Sequence, residues 1–297
     1  MTSSEQTMPA SGTRIHLRLG SFAQHAWHIG RGIRPTVAVS ILFIAFLLLA
    51  ALFPPALASH DPLSTDPLHA FAAPSLQHLF GTDENGRDVW SRIICGARPS
   101  LLLGLIAAAL TTVLGILLGL VAGLNTRLLG NIIMRLVEIL QSIPDLLLVL
   151  LIVSLFGFST LTLVISLGVA AVPIKVRQVR AQVLVVRRAH FVEAAYTLGI
   201  PDWLVILRHV VPNSIRPVLV LLPLEVGWKI ALLATLSFLG VGAPPPAPLW
   251  GSMLAIDRDY VLNAWWLTAT PAAVIVLTVL AINTLGRDLA RRSEGKA

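Results

Sequence analysis

Six stretches of this chain are apolar over lengths that soluble folds do not bury. They run at about 36–57, 100–124, 134–156, 161–176, 217–239 and 265–285. The hydrocarbon core of a membrane is about 30 Å thick and a helix rises about 1.5 Å per residue, so a crossing needs roughly 20 apolar residues. The fourth stretch is the shortest and the third is polar in its first half. Composition agrees, because charged residues make up only 12% of the chain and hydrophobic ones 56%, whereas soluble domains carry about 25% charged residues. The expected fold is an all-α integral membrane protein with about six transmembrane helices.

The basic residues set the expected orientation. Arg14, Arg18, Arg31 and Arg34 precede the first stretch, Arg127 and Arg135 follow the second, seven Lys or Arg lie between Lys175 and Arg216, and four follow residue 285. The alternate loops hold only Arg87, Arg92, Arg98 and Arg258, together with Asp61, Asp66, Asp83, Glu84, Asp88, Asp257 and Asp259. Lys and Arg accumulate in cytoplasmic loops. Both termini are therefore expected in the cytoplasm of a bacterial cell, with the chain in its inner membrane and in contact with lipid. The expected units are a cytoplasmic segment 1–35, a first helix 36–57 with an external loop 58–99, a five-helix core 100–285 containing a cytoplasmic loop 177–216, and a tail 286–297.

Several other chemistries are disfavoured by the same residues. The net charge of +7 falls between apolar runs and forms no aromatic-interleaved stripe, which argues against nucleic acid. Cys95 stands alone, so no internal disulfide forms. Ala56-Leu57-Ala58 satisfies a signal-peptidase rule, but the polar leader and the apolar run are both long for a secretory signal. His60, His69 and His78 recur at nine-residue spacing, which matches no metal-ligand motif, so no metal is expected. No phosphate loop or nucleophile elbow is present, which leaves any energy source to a partner or an ion gradient.

Between the fourth and fifth stretches the chain reads as helix, turn, helix. Glu193, Ala194 and Ala195 favour helix, Gly199 suits a left-handed helix end, and Pro201 with Asp202 suits the first turn of a second helix. Pro212 closes that helix or kinks it. Such a basic, amphipathic segment either lies on lipid headgroups or forms a docking knob for a cytoplasmic partner. In the spans, Gly115, Gly119 and Gly123 share one face and read as close helix packing. Pro144 is expected to kink the third span, with Glu138, Gln141 and Asp145 facing protein or water. Glu225 and Lys229 are four apart on one face of the fifth, where they could neutralise one another and mark a pathway.

The loop also carries a resemblance. Glu193-Ala194-Ala195, then Gly199, then Pro212 in register resembles the signature loop of bacterial ABC importer permeases, although His209 and Val211 stand where Ile and Leu are preferred. Arg208-His209-Val210-Val211-Pro212-Asn213 is similar to the dipeptide, oligopeptide and nickel branch. So is Phe80-Gly81-Thr82-Asp83-Glu84-Asn85-Gly86-Arg87-Asp88, which resembles the external loop of the C-type subunit. A third similar block runs from Leu236-Ser237-Phe238-Leu239-Gly240 through Pro244-Pro245-Pro246 to Trp250-Gly251. One departure is that Leu233 and Ala234 stand where members carry an acidic residue.

The resemblance implies a type I importer permease fold and a non-catalytic subunit. It further implies a homologous second permease, two cytoplasmic ATPase subunits that use ATP and Mg, and an external substrate-binding protein. Glu193, Ala194, Ala195, Leu198, Gly199, Ile200, Pro201 and Trp203 would couple the chain to an ATPase. Glu225, Lys229 and Ser237 are the pathway candidates. The implied cargo is di- or oligopeptides, with nickel chelates or another small solute as the alternative. An ion-coupled secondary transporter would instead show an inverted repeat, and an intramembrane enzyme a catalytic constellation within its spans. Neither is visible.

Overall fold

The computed structural model describes residues 34–242 and 246–293. Arg14, Arg18, Arg31, Lys296, Pro244 and Pro245 lie outside the described residues. In chain order the helices are α1 (Pro35–Leu52), α2 (Val89–Leu124), α3 (Leu129–Gln141), α4 (Asp145–Phe156), α5 (Thr160–Ala170) and α6 (Val172–Arg187). They continue with α7 (His190–Thr197), α8 (Asp202–Val205), α9 (Val211–Val220), α10 (Leu222–Phe238), α11 (Trp250–Asp257) and α12 (Trp265–Ser293). The β contact among the described residues is an isolated bridge between Thr82 and Asp88.

Four segments are long and apolar enough to cross a membrane unaided: α1, α2, α5 with α6, and α12. Two more are bent, with α3 meeting α4 at 91° and the stretch Asp202–Val220 meeting α10 at 46°. Counting each bent pair as one crossing gives six. The 91° turn exceeds the kink expected at Pro144. Proline lacks an N–H and pushes the residue before it out of the helical region, so α3 stops at Gln141 and Pro144 opens a new helix with ψ 137°. The arms hold 13 and 12 residues and reach only about 20 Å each, so neither crosses alone.

The second crossing also differs from its expected start near residue 100. α2 begins at Val89, runs for 36 residues and is therefore about 54 Å long. It passes the membrane's thickness and ties together two ends of the molecule. One is the cap end, formed by residues 58–88 and α11; the other is the loop end, residues 188–210.

The seam between α2 and α6 shows what the glycine stripe is for. Gly115, Gly119 and Gly123 lie against Lys175, Val179 and Val183, and a Cβ at Gly119 would approach Val179 Cβ to 2.5 Å. Two four-residue rows thus interlock at a separation only glycine permits. Arg180 and Arg187 then reinforce the seam. Arg180 Nε donates to the Ala122 carbonyl at 3.3 Å, and Arg187 donates to the Gly123 and Leu124 carbonyls at 3.1 Å. These belong to the last turn of α2, whose carbonyls lack helical partners. Outward-facing Leu42, Leu49, Val113, Leu117, Leu155 and Leu280 remain exposed, as a lipid-facing surface requires.

Candidate functional site

At the loop end, α7 closes as the residue types predict. Gly199 adopts φ +75°, the Gly199 N–H donates to the Tyr196 carbonyl at 3.0 Å, and the Ile200 N–H donates to the Ala195 carbonyl at 3.3 Å. This pair of bonds is a Schellman closure, which satisfies carbonyls the helix end would otherwise orphan. Nothing lies within 4 Å of a Cβ built at Gly199, so the glycine serves the backbone turn and not a close contact. Pro201 then caps α8, which begins at Asp202.

One side of this helix–turn–helix is anchored. Val192, Ala195, Val205 and Val210 are buried with Val179, Val183 and Val218 of α6 and α9, and Ile200 packs on them. The other side faces outward: Leu198 is 79% exposed and Trp203 63%, beside exposed Tyr196, Phe191 and Leu207. Glu193 and Ala194 are exposed as well, and among the described residues the Glu193 carboxylate pairs only with the exposed ring of His190, at 3.5 Å. Sequence reasoning singled out Leu198 and Trp203 but missed Phe191, Tyr196 and Leu207. Phe191 stands three and seven residues before Ala194 and Leu198, and Leu207 four after Trp203, so helical spacing from the outward residues was the available signal for these two.

Pro212 neither ends nor sharply kinks the second helix. The chain widens into a π turn over Ile206–Val210 and continues as α9. A proline ring collides with the carbonyl four residues earlier, here Arg208, and one wide turn relieves that collision without breaking the helix.

The interior charges pair differently from expectation. Glu225 forms its ion pair with Lys175 of α6, not with Lys229. Lys229 is fully buried and its Nζ donates to the Leu167 carbonyl at 2.6 Å. The reason is local to α5, which stops at Ala170 and leaves the carbonyls of its last turn without helical donors, so an ammonium caps them. Lys229 is therefore enclosed by its own subunit. Ser237 lines a cavity of about 460 Å³ with Ser252, Phe238, Gly240 and Arg258, at the cap end of α10.

The cap end is a dense polar assembly. Gly81 and Gly86 take φ +74° and +73°, left-handed values that let the chain turn tightly around Asp83. Asp83 accepts from the backbone N–H of Asn85 and Arg87 at 2.9 Å and from Arg87 Nε at 2.6 Å, with Arg92 Nε at 3.5 Å. Asp88 pairs with neither Arg87 nor Arg92, which go to Asp83 and Glu84. Asp88 instead caps α2, accepting from the Ser91 N–H at 2.8 Å and its hydroxyl at 2.6 Å, and its other oxygen meets His78 Nδ1 at 3.0 Å. Burial raises the Asp88 pKa, but the bonds from Ser91 and His78 outweigh it and hold the carboxyl below its ordinary value. Asp257 behaves oppositely: burial first, then repulsion from Glu84 and Asp83, push its pKa up to about 8.

A helical membrane bundle with broken crossings and a tethered loop that projects between α6 and α9 has the build of a transport permease. The chain belongs to the family described as binding-protein-dependent transport system inner membrane component, which matches residues 115–295. It is 40% identical over 258 residues to the probable D,D-dipeptide transport system permease protein DdpC of Escherichia coli (strain K12), covering 86% of this chain and 87% of that one. It is 39% identical over 255 residues to the di/tripeptide transport system permease protein DppC of Pseudomonas aeruginosa (strain UCBPP-PA14), covering 84% of each. Among solved structures, an amino acid ABC transporter with histidines aligns with TM-score 0.56 at 18% identity, over 68% of this chain and 94% of that one. The inward-facing MetNI methionine ABC transporter aligns with TM-score 0.54 at 18% identity, over 68% and 95%. The fold is thus the type I importer permease fold, and the chain is a non-catalytic permease subunit of an ABC importer in the inner membrane.

Proposed function

We propose that this chain is one of two related permeases of an importer for short peptides, and that both termini and the loop end face the cytoplasm. The peptide reading draws on relatives whose names specify D,D-dipeptide, di/tripeptide and glutathione transport, at 37 to 40% identity over at least 84% of this chain. The orientation draws on the Arg and Lys residues gathered at the loop end.

The observation that carries the mechanism is the two-sidedness of the loop. Its inner side is locked to α6 and α9 through Val192, Ala195, Val205 and Val210, while Leu198 and Trp203 stand out from it. Aromatic and apolar side chains presented on a rigid base are the usual anchors of a protein interface. In this reading they seat in a cytoplasmic ATPase, whose closure on ATP and Mg moves the spans as the loop moves. Glu193 adds a charge that a basic ATPase residue would meet. An external binding protein delivers the peptide to the cap end, and the cavity at Ser237 lies on its route.

Reconstituted transporter tests this. Gly199→Asp places a side chain in the left-handed region, at about 1–2 kcal/mol locally, and Glu193→Lys reverses the interfacial charge. Both variants are expected to insert and pair with the second permease yet lose ATPase retention or binding-protein-stimulated turnover. Wild-type turnover and peptide uptake in both would remove the loop's mechanical role.

A further inference from the structure

The cap end brings together three side chains whose spacing in the chain conceals them. His60 and His78 stack with ring centroids 4.8 Å apart and planes 30° from parallel. Both face one carboxylate, His78 Nδ1 lying 3.0 Å from Asp88 Oδ1 and His60 Nδ1 lying 3.9 Å from Asp88 Oδ2. One donor atom from each of the three falls within 4.8 Å of the other two. His69 takes no part, being bonded to Asp66 at 2.7 Å.

We propose that His60, His78 and Asp88 form a Zn²⁺ site that joins the 59–60 segment and His78 to the start of α2.

Three features point to a cation. First, the Asp88 side chain is only 1% exposed, and among the described residues neither Arg nor Lys pairs with it. Arg87 and Arg92 are taken up by Asp83 and Glu84, so the buried carboxylate faces two imidazoles and no fixed positive charge. Second, the donors are already held in place from behind. Asp88 Oδ2 accepts from the Ser91 N–H and hydroxyl, and the Ser91 hydroxyl also accepts from the His60 backbone N–H at 3.0 Å; the Ser59 hydroxyl, 3.2 Å from His60 Nδ1, would give way to the ion. Such outer bonds are what orients the ligands of a metal site. Third, the spacing suits the ion, since tetrahedral zinc at about 2.0–2.1 Å from nitrogen and oxygen separates neighbouring donors by roughly 3.4 Å. The 3.0 Å between His78 Nδ1 and Asp88 Oδ1 needs a small opening for the ion to replace the shared proton, which leaves to solvent, and the His60 ring, 3.9 Å from Asp88 Oδ2 in a set spread over as much as 4.8 Å, must swing inward to complete the site.

Two imidazoles and a carboxylate make a borderline donor set suited to Zn²⁺ over Mg²⁺ or Ca²⁺. His60, 42% exposed, leaves an entry path and a fourth position for water. The nine-residue spacing does not describe this cluster, which leaves out His69. The fold discards the middle histidine and supplies Asp88 in its place.

Tag-free, full-length transporter stripped with EDTA is dialysed against ZnCl₂, and bound zinc is counted by elemental analysis. Wild type is expected to bind one more Zn²⁺ per copy of this chain than the double variant His60→Ala/His78→Ala. Each single variant removes a ligand and is expected to weaken that zinc by more than the roughly 10- to 100-fold that loss of an outer partner costs, while His69→Ala leaves it unchanged. Co²⁺ on the wild-type protein supplies a check that needs no variant: a four-coordinate visible spectrum is expected. Equal zinc in wild type and the double variant, or wild-type protein giving only the spectrum of six-coordinate Co²⁺, overturns the site.

Discussion

At the cap end, Asp83, Arg87 and Arg92 have side chains less than a tenth exposed and hold one another, whereas at the loop end Glu193 is 64% exposed and, among the described residues, pairs only with an exposed histidine. The apolar residues follow the same division. Trp250 of the cap is buried, with its Nε1 bonded to the Ile93 carbonyl at 2.9 Å, while Trp203 of the loop lies open. Both ends use a glycine with φ above +70° to make their turns. The difference is therefore not rigidity of the backbone but where the side chains find partners. The charged side chains Asp83, Arg87 and Arg92 of the cap find their partners within the chain; Leu198 and Trp203 of the loop stay exposed.

The largest effect that would test this contrast is at Asp83. Asp83→Asn leaves two buried arginines without their shared carboxylate, which is expected to cost about 3–5 kcal/mol and to lower the unfolding temperature and the assembled amount. Trp203→Ala is expected to change stability by less than about 0.5 kcal/mol. Equal losses in thermal unfolding would erase the distinction.

A second effect concerns pH. Asp257 ionises near 3.8 when unfolded and near 8 when folded. Its folded form thus keeps a proton that the unfolded form has lost, and stability falls as pH rises from about 4 to 8, by at most about 1.4 kcal/mol per unit, and levels off above. Asp257→Asn should flatten this slope, so that its unfolding temperature gains on wild type at pH 8 relative to pH 5. An unchanged slope would mean that Asp257 is ionised in the folded cap.

The smallest effect sharpens the comparison with the interior. A double-mutant cycle on Lys175→Met and Glu225→Gln should show coupling about 1 kcal/mol larger than the cycle on Glu225→Gln and Lys229→Met. Equal couplings would return Lys229 to Glu225 as a partner.

What could be read in advance was what depends on near neighbours. Gly199 declared its left-handed turn because glycine, the helix formers before it and Pro201 after it all lie within one turn. The stripe at Gly115, Gly119 and Gly123 declared a packing seam by the same periodicity, though not that α6 fills it. Long-range choices were hidden. Spacing offered Lys229 as the partner of Glu225 because the two lie one turn apart, but the end of α5 supplied a competing carbonyl and α6 a competing lysine. Pro144 announced a break without its angle, which depends on where α4 packs. His60 and His78 are brought together only by the N-cap of a helix that begins earlier than hydropathy suggests.

The length of α2 carries a mechanical consequence. Its last turn is fastened to the loop end by Arg187, and its first is pinned at the cap by the Asp88 side chain. A rod of about 54 Å tied at each end to the groups it must move works as a lever, so a tilt of about 5° about one end carries the other roughly 5 Å. A push of a few degrees delivered at the Gly123 end would thus appear across the bilayer as a stroke the size of a side chain.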